Sequence, residues 1–537
     1  MISNPLRLAT RSLITGTMLV ASTLSVAASS SSNFEVMETT VADAQAAMKA
    51  HKLTAHQLTQ MYLDRIAAYD QKGPATNNIL TLNPKALEEA DKADAYFART
   101  GKFMGPLHGV PILVKDEIDT AGMPTTLGTA VFKDYRPPLD AFVVAKLKAA
   151  GAIVLAKTTL SEFAGGDTYS ALTGYSHNPY ALDRTVGGSS GGSGGALAAN
   201  FGLLALGEET ASSLKRPAAW GALAGMRTTP GLISRSGMWD GAPVPTAQMG
   251  PMARTVTDMA KLLDVMVGYD PEDPITALGP QHTPKTYTSF LDKNALKGAR
   301  IGVIRDVLGS NSQPDSADFK KVHALFEQAL LDMKAQGATL VDINIPGLKE
   351  LSAKRAIDPA MSAAALNVYL SRNPDSPFKT QADIDNHPEM ANSFKAKTGQ
   401  NRRNSNNKVS AEEILESKYA REQLLLNIAK LMAENHIDAL AYKAVEHQPS
   451  LIAEAVNPPY KSMGGVVGLN TFLIYTPTIT VPMGFSDDGI PAGLAFLGLP
   501  YSEGTLIKYA YAYEQATHHR KPPASTPALS GNSVTHH

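Results

Sequence analysis

The sequence contains no cysteine in its 537 residues. Disulfide bonds, thiolate nucleophiles, iron–sulfur clusters and zinc ribbons are therefore excluded. An excess of charge of one sign is also absent, because 49 Lys and Arg stand against 50 Asp and Glu. The sequence has no basic stripe, no RNA-binding aromatic motif and no histidine pair with the spacing of a metal site. These absences argue against a nucleic-acid partner and against a metal centre.

Long apolar runs are absent as well, and the N-terminus carries only a short one. Arg7 and Arg11 precede that run, and Ser25–Ala27 offers small residues suited to signal-peptidase cleavage. The run is too short and too rich in Thr, Ser and Gly for stable insertion into a membrane. We predict a signal peptide over residues 1–27, a linker over 28–36, and export to the periplasm.

Apolar strands and amphipathic helices alternate along the rest of the chain. A strand over Val110–Val114, a helix over Ala141–Ala150 and the strand AIVLAK form a β-α-β sequence. ARIGVIRD and TLVDINIP enclose a second helix in the same way. We predict an α/β fold, with one domain over 37–520 and a flexible tail over 521–537. Helical spacing also continues from Val36 to Tyr69, and the polar segment 372–409 is predicted to be an insertion or a mobile cover.

The most unusual stretch is VGGSSGGSGGALAAN, which has six glycines and three serines within Gly187–Gly195. Such a composition is typical of a flexible linker, but apolar helix-forming residues follow at once. A Walker A loop needs a lysine that this stretch does not have. A dinucleotide-binding loop needs a strand immediately upstream, whereas NPYALDRT is rich in turn residues. The stretch is therefore not explained by phosphate binding.

A nucleophile elbow, G-x-S-x-G, is a further alternative, with Ser190 or Ser193 at its centre. An elbow requires a strand that runs into the serine, together with an acid and a histidine farther along the chain. The strand is not evident, and Ser193 is equally suited to capping the next helix. Histidines do follow, so an α/β-hydrolase esterase that uses Ser190 stays open; they are His323, His436, His447 and His518.

Three separate segments together suggest another chemistry. Lys115 ends a buried strand, Ser189 lies in the glycine–serine run, and Ser213 follows the tight turn TAS. A neutral lysine can act as the base, one serine can relay the proton and the second can attack a carbonyl. The lysine must be desolvated or placed near cationic neighbours for this role, since its ordinary pKa is about 10.4. Lys157 ends the strand AIVLAK in the same manner and is an equal candidate by pattern.

The order and spacing of these segments resemble the amidase signature family over roughly residues 37–520. The segments are GGSSGGSGGALAAN, GEETASSLKRPAA, TGYSHNPY, TVPMGF, GIPAGLAFLG and AYAYEQAT. Within the family the chain is most similar to bacterial peptide amidases, because of its export-type N-terminus and the C-terminal segment through KPP. The resemblance implies a central, mostly parallel mixed sheet covered by helices on both faces, and no metal or organic cofactor.

The resemblance also implies residue roles. Lys115 is the base, Ser213 is the nucleophile, and Ser189 is the bridging serine, reached through a cis peptide bond from Gly188. The oxyanion hole is formed by the backbone N–H groups of Thr210, Ala211, Ser212 and Ser213. The supporting residues are Gly188, Ser190 and Asp116. Departures from the family pattern are Glu208 in place of a common threonine, Ala211-Ser212 in place of Gly-Gly or Asp-Gly, and Tyr442-Lys443-Ala444 where Pro-Thr is common.

The implied activity is hydrolysis of linear amide bonds through an acyl-enzyme. The substrate is a small-molecule amide or a C-terminally amidated peptide. Esters and carbamates are alternative substrates of the same site, because they present a similar carbonyl. A two-lobed periplasmic binding protein without catalysis is the third class of function considered.

Overall fold

The computed structural model describes residues 34–239, 246–393, 409–457 and 464–529. These residues belong to one compact unit. The predicted signal peptide and most of the predicted linker lie outside the described residues, whereas Val36 is already buried in the core. No helix in the described ranges combines the length and the apolarity that crossing a membrane requires.

The strands of the described residues are short, and most of them are buried. They are β1 Ile79–Leu82, β2 Pro111–Lys115, β3 Ile153–Thr158, β4 Tyr169–Ser170, β5 Gly174–Tyr175, β6 His177–Asn178, β7 Ala181–Thr185, β8 Leu204–Glu209, β9 Ala224–Arg227, β10 Gln248–Ala253, β11 Arg300–Ile304, β12 Gly309–Ser310, β13 Thr339–Ile343, β14 Ala439–Lys443, β15 Val466–Val467, β16 Thr478–Phe485 and β17 Pro491–Leu497.

The helices alternate with these strands along the chain. They are α1 Val41–Lys49, α2 Ala55–Tyr69, α3 Ala86–Thr100, α4 Phe142–Ala149, α5 Gly191–Ala198, α6 Lys215–Trp220, α7 Val256–Met266, α8 Ala317–Ala335, α9 Leu348–Ser352, α10 Pro359–Ser371, α11 Gln381–Asp385, α12 Ala411–Glu434, α13 Ile452–Val456, α14 Leu469–Leu473 and α15 Glu503–Thr517.

The main sheet has eleven strands in the order β1-β3-β2-β8-β10-β9-β16-β17-β14-β11-β13. Helices flank it: α5 packs against β2 and β8, α7 against β10, and α6 against β16 and β17. The predicted α/β class with a mixed sheet is confirmed. The expectation of a mostly parallel sheet is wrong, because six of the ten neighbouring strand pairs are antiparallel. One cause is the short connection between β16 and β17, since only antiparallel strands can be joined by so few residues.

The continuous helical spacing from Val36 to Tyr69 corresponds to two helices, α1 and α2. The chain turns between them at His51, which has a positive φ of 55°. Thr54 then begins α2 with a capping box, in which its side chain accepts a hydrogen bond from the backbone N–H of Gln57 and the Gln57 side chain accepts one from the N–H of Thr54. The cap satisfies N–H groups that a new helix leaves unpaired, so a second helix starts here.

Strands β2, β3 and β8 place polar residues at one edge of the sheet. All residues of these strands are buried, and burial of an apolar side chain such as Leu113 or Leu204 stabilises the fold by about 1.5–3 kcal/mol. The three strands are parallel neighbours, with Val114 opposite Leu206. Their C-terminal ends therefore lie side by side, which brings Lys115 close to Glu208.

The C-terminal segment packs against the body instead of forming the predicted flexible tail, as far as residue 529. Buried Arg65 on α2 donates hydrogen bonds of 2.8 Å to the carbonyl oxygens of Thr526 and Pro527. Ser525 Oγ also donates to the carbonyl oxygen of Pro179 at 2.6 Å. Residues 530–537 lie outside the described residues. These contacts hold the segment because a buried guanidinium must have acceptors.

The polar segment 372–409 is only partly described. Its first part contains the short helix α11, and Phe378 packs on Phe132 with ring centroids 4.3 Å apart. Ile384 is fully buried. Residues 372–393 thus contribute to a small apolar cluster, and residues 394–408 lie outside the described part of the chain.

Candidate active site

Lys115 and Ser189 lie in direct contact, although 74 residues separate them in the chain. Lys115 Nζ donates a hydrogen bond to Ser189 Oγ at 2.7 Å, and both side chains are fully buried. Lys115 is the last residue of β2, so the strand holds its side chain at the sheet edge. The glycine–serine run passes over this edge and presents Ser189 to the amine.

The glycine–serine run is tightly packed backbone. A Cβ at Gly188 would lie 2.4 Å from the carbonyl oxygen of Gly166 and 2.5 Å from Ser161 Oγ. Only glycine fits there. The Gly188–Ser189 peptide bond is cis, as the resemblance implies. Helix α5 begins at Gly191, and all of its residues are buried. The run is therefore part of the core and is not a linker.

The other two serines of the run have structural hydrogen bonds. Ser190 Oγ donates to the carbonyl oxygen of Glu208 at 2.9 Å and accepts from the Glu208 N–H at 3.1 Å. Ser193 Oγ donates to the carbonyl oxygen of Leu206 at 2.9 Å. Ser193 lies within α5, so the expectation that it caps a helix is wrong. Both hydroxyls join α5 to β8.

These contacts do not support a nucleophile elbow. A strand that the turn-rich sequence did not indicate, β7, does precede the run, but it pairs with β6 in a small separate sheet and forms one further bridge, between Arg184 and Leu451. Within the described ranges, no hydrogen bond joins Ser190 to a histidine. Ser190 Oγ instead forms its hydrogen bonds with the backbone of Glu208.

Ser213 lies directly beside the run. The N–H of Ser190 donates to the carbonyl oxygen of Ser213 at 3.0 Å. Ser213 is 8% exposed, whereas Ser189 is fully buried, so Ser213 is the serine that faces outwards. No hydrogen bond joins the hydroxyls of Ser189 and Ser213 in the part of the chain that the structure describes. A backbone hydrogen bond from Ser190, and not a contact between hydroxyl groups, therefore joins the segments that carry Ser189 and Ser213.

The turn before Ser213 leaves N–H groups available. Among the described residues, the N–H groups of Ala211, Ser212 and Ser213 have no acceptor within the protein. No residue between Thr210 and Ser213 has a positive φ, so the serine at 212 fits the turn without backbone strain. A turn of this kind can direct several N–H groups at one oxygen atom.

Glu209 supports this turn, and no sequence pattern singled it out. Its Oε2 accepts from the N–H groups of Leu214 and Lys215 at 3.1 and 2.8 Å, and its Oε1 accepts from Asn470 Nδ2 at 2.9 Å. Burial alone would raise the pKa of Glu209, but Lys215 and Arg227 and these hydrogen bonds lower it. An ionised carboxylate therefore fixes the start of α6, immediately after Ser213.

Two further carboxyl groups contact Lys115. Glu208 Oε2 lies 2.8 Å from Nζ and Glu117 Oε1 lies 2.6 Å from it, and both side chains are buried. Burial alone would lower the pKa of Lys115, but attraction to the two carboxyl groups outweighs burial and raises it. These carboxyl groups oppose the lowered pKa that a neutral lysine base would need. Burial raises the pKa of Glu117 well above its ordinary value, and the neighbouring Glu208 raises it further, against the attraction of Lys115.

Asp116 and Lys157 have different surroundings. Asp116 Oδ2 accepts from the N–H and Oγ1 of Thr126 at 2.8 and 2.9 Å, so it orders the loop after β2 and does not bond Lys115. Lys157 Nζ donates to the carbonyl oxygen of Pro124 and to Thr125 Oγ1 at 3.3 and 3.2 Å. Burial lowers the pKa of Lys157. The structure thus separates two lysines that the pattern left equal, because only Lys115 meets the glycine–serine run.

A cavity of about 700 Å³ opens beside the turn that precedes Ser213. Ala211 lines it at the turn, and Leu469 and Phe472 line it from α14. Arg355 provides a positive charge at its wall. A ligand in this cavity can reach the turn at Ala211, whereas the buried Lys115 and Ser189 do not line it. No cluster of three metal-ligating side chains occurs in the described ranges.

Known proteins resemble this chain over most of its length. The family model described as Amidase matches residues 57–507. A glutamyl-tRNA(Gln) amidotransferase subunit from Thermosynechococcus vestitus is 34% identical over 490 residues, which cover 87% of this chain and 96% of that protein. A probable amidase from Arabidopsis thaliana is 32% identical over 515 residues, covering 92% of this chain and 93% of that protein.

Solved structures agree with these sequence matches. The native peptide amidase from Stenotrophomonas maltophilia has a TM-score of 0.77 and 34% identity, covering 91% of this chain and 99% of that chain. An amidase family protein from Bacillus anthracis has a TM-score of 0.73 and 31% identity, covering 91% and 92%. The resemblance seen in the sequence is thereby confirmed. The chain belongs to the amidase signature family.

Proposed function

We propose that this protein hydrolyses linear amide bonds through an acyl-enzyme formed on Ser213. The observation that carries this proposal is the 2.7 Å hydrogen bond between Lys115 and Ser189, next to the backbone hydrogen bond that joins the run to Ser213. Direct contact between a buried amine and a buried hydroxyl provides a route for proton transfer. Membership of the amidase family makes an amide the expected substrate.

The proposed reaction begins when Ser213 Oγ attacks the amide carbonyl. Its proton passes to Ser189 Oγ, and Ser189 passes its own proton to Lys115. The N–H groups of the turn from Thr210 to Ser213 bind the oxyanion. The same relay protonates the leaving ammonia or amine, and water then hydrolyses the ester.

The cavity beside Ala211 is the proposed binding place for the acyl part of the substrate. Its apolar wall at Leu469 and Phe472 fits an apolar side chain, and Arg355 fits a carbonyl or carboxylate oxygen. C-terminally amidated peptides are the first substrate class proposed, because a peptide amidase is among the similar structures. Esters and carbamates are alternatives, since they form the same kind of oxyanion.

A second candidate is the release of ammonia from an amide for transfer to another molecule. The observation that favours it is the 34% identity to a glutamyl-tRNA(Gln) amidotransferase subunit. In that case the protein would need partner subunits to deliver the ammonia. Turnover of peptide amides by the isolated chain supports the hydrolase, and turnover of glutamine alone supports the second candidate.

The experiment that tests the proposal is fluorophosphonate labelling of the chain that begins at residue 28, followed by peptide mapping. We expect the label on Ser213 and loss of both labelling and amide turnover in Ser213→Ala. Label on Ser190 or Ser193 would support the elbow instead. A folded protein with neither label nor turnover would support a binding protein without catalysis.

Export is a separate part of the proposal. The predicted signal peptide over residues 1–27 would direct the chain to the periplasm. Fractionation of cells that express the full chain, with N-terminal sequencing of the product, tests it. A mature N-terminus near residue 28 in the periplasmic fraction is expected, and an intact Met1 in the cytoplasm contradicts it.

A further inference from the structure

The turn before Ser213 must hold its N–H groups in fixed directions if they are to bind an oxyanion. The N–H groups of Ala211, Ser212 and Ser213 have no acceptor among the described residues, so no hydrogen bond of their own fixes them. In a trans peptide the carbonyl oxygen and the N–H group point in opposite directions. The contacts of the carbonyl groups in this segment therefore set the directions of its N–H groups.

Two of the three carbonyl groups from Ala211 to Ser213 are held by backbone N–H groups. The carbonyl oxygen of Ser212 accepts from the N–H of Arg216 at 3.0 Å, in the opening turn of α6. The carbonyl oxygen of Ser213 accepts from the N–H of Ser190 at 3.0 Å. The first of these bonds sets the direction of the Ser213 N–H. No side chain takes part in either bond.

The third carbonyl group, that of Ala211, is held by a side chain. Thr471 Oγ1 donates a hydrogen bond to it at 2.9 Å, across 260 positions of the chain. Thr471 lies on α14 and is only 2% exposed, so the hydroxyl is shielded from water. No other donor in the described ranges bonds the Ala211 oxygen. The peptide group between Ala211 and Ser212 therefore depends on one hydroxyl group.

The same hydroxyl also lies 2.9 Å from the carbonyl oxygen of Gly468. A hydroxyl group has only one proton to donate. Gly468 already accepts the N–H of Phe472 at 2.9 Å, whereas the Ala211 carbonyl has no second donor. The Ala211 carbonyl is thus the acceptor that needs the hydroxyl. Loss of the hydroxyl would free the turn but leave the backbone of α14 hydrogen-bonded.

We propose that Thr471 is a positioning residue of the oxyanion hole. By holding the Ala211 carbonyl, it holds the N–H of Ser212 in the opposite direction, where this group can donate to the oxyanion. Thr471 bonds the end of the peptide group that faces away from the oxyanion, so it acts through that peptide group alone. This inference rests on the proposed function.

The expected effect is on the rate and not on substrate binding. The oxyanion forms in the transition state, so a misdirected N–H group slows the reaction without weakening the complex with the substrate. Removal of one oxyanion donor typically lowers kcat by about 100–1,000-fold. The N–H of Ser212 would be misdirected and not removed, so we expect a loss of about 10–100-fold.

The first test compares Thr471→Val with Thr471→Ser in the chain that begins at residue 28. Valine has nearly the shape of threonine but no hydroxyl, whereas serine keeps the hydroxyl. Thr471→Val should lower kcat for a peptide amide about 10–100-fold with KM within about threefold, and Thr471→Ser should stay within about threefold in both. The control is Thr517→Val, which removes a hydroxyl that donates to the Tyr513 carbonyl on α15 and should leave the activity unchanged.

A role of Thr471 in the stability of α14 alone has a different signature. This helix forms the wall of the cavity at Leu469 and Phe472, so a loosened α14 weakens binding and raises KM. A raised KM with kcat retained in Thr471→Val overturns the inference. A kcat that does not respond to the loss of the hydroxyl overturns it as well.

The second test measures binding instead of turnover. A peptide aldehyde forms a tetrahedral adduct with the attacking serine and places its oxygen in the oxyanion hole, whereas the peptide alcohol of the same sequence forms no adduct. Thr471→Val should weaken binding of the aldehyde about 10–100-fold and leave binding of the alcohol unchanged. Equal losses for the two ligands overturn the inference.

Thermal unfolding shows whether each variant is folded. If Thr471→Val does not fold, Thr471→Cys takes its place, because a thiol is a weak donor similar in size to the serine hydroxyl. The cysteine variant should have a lower kcat than Thr471→Ser, and equal values overturn the inference. A label on a serine other than Ser213 overturns the proposed function and this inference with it. A label on Ser213 together with a fully active Thr471→Val overturns the inference alone.

Discussion

Arg216 Nη2 donates a hydrogen bond of 2.6 Å to the carbonyl oxygen of Gly188. Arg216 lies on α6, three residues after Ser213, and Gly188 immediately precedes Ser189. The same guanidinium forms an ion pair of 2.6 Å with buried Asp167. One side chain thus connects the segment that carries Ser213 with the segment that carries Ser189.

Replacement of Arg216 by lysine should reduce the catalytic rate strongly and the thermal stability only slightly. Lysine keeps the charge for Asp167 but cannot donate to two acceptors in a fixed plane, so the two serine segments lose their connection. We expect kcat to fall about 10–100-fold with KM nearly unchanged, because a small misplacement of reacting groups is costly. Steady-state kinetics and thermal unfolding measure both effects. Equal losses in kcat and KM would contradict the positional role.

Alanine substitutions of Lys115, Ser189 and Ser213 should have effects that do not multiply. The three side chains are proposed to move one proton, so the relay is already broken after the first substitution. We expect the double variant Lys115→Ala/Ser189→Ala to be about as active as the weaker single variant. Amide turnover and labelling rate provide the measurement, and a double loss equal to the product of the single losses would refute a common relay.

Glu209→Ala should destabilise the turn that carries Ser213. The substitution leaves two backbone N–H groups and Asn470 without their acceptor and leaves Lys215 without its counter-ion. An unsatisfied buried group costs about 1–3 kcal/mol. Urea unfolding measures this change. Glu209→Gln retains one acceptor oxygen and should be intermediate in stability, and a fully stable alanine variant would contradict the bracing role.

Glu38 and Arg520 should make stability depend on pH in acid. Burial alone would raise the pKa of Glu38, but the attraction and hydrogen bonds of Arg520 lower it to about 2. The folded state therefore holds this carboxylate ionised below its ordinary pKa of about 4.3, so the ion pair stabilises the fold above that pH and is lost as the pH falls towards 2. Glu38→Gln should lower the melting temperature at neutral pH and flatten its decline in acid. Glu422→Gln on the exposed side of α12 is the control, and an identical decline in both variants would contradict the prediction.

Much of the site was predictable because local patterns position its backbone. Apolar strands that end in a charged residue indicated Lys115 and Lys157 alike, and the resemblance to the amidase signature family then singled out Lys115, Ser189 and Ser213. The α/β class followed from alternation of strand and helix patterns. The strand and helix patterns depend on neighbouring residues only, so one sequence contains enough information to find them.

The surroundings of Lys115 were not predictable in the same way. Glu208 lies 93 residues from Lys115 in the chain, and only the pairing of β2 with β8 brings the two together. Glu117 is only two residues from Lys115. Side chains two residues apart point the same way along an extended strand, but β2 ends at Lys115. The strand pattern therefore did not indicate that Glu117 contacts the amine. The charge of the lysine therefore depends on tertiary contacts. Strand direction was also missed, because the patterns show where strands occur but not how they pair.

The contact of Arg65 with Thr526 and Pro527 has a consequence for biosynthesis. Arg65 is fully buried, and two of its four carbonyl acceptors come from residues that are synthesised more than 460 positions later. Until residues 526 and 527 have been synthesised, the guanidinium cannot be enclosed without unpaired N–H groups. The native packing around α2 thus requires a segment that emerges more than 460 residues after Arg65.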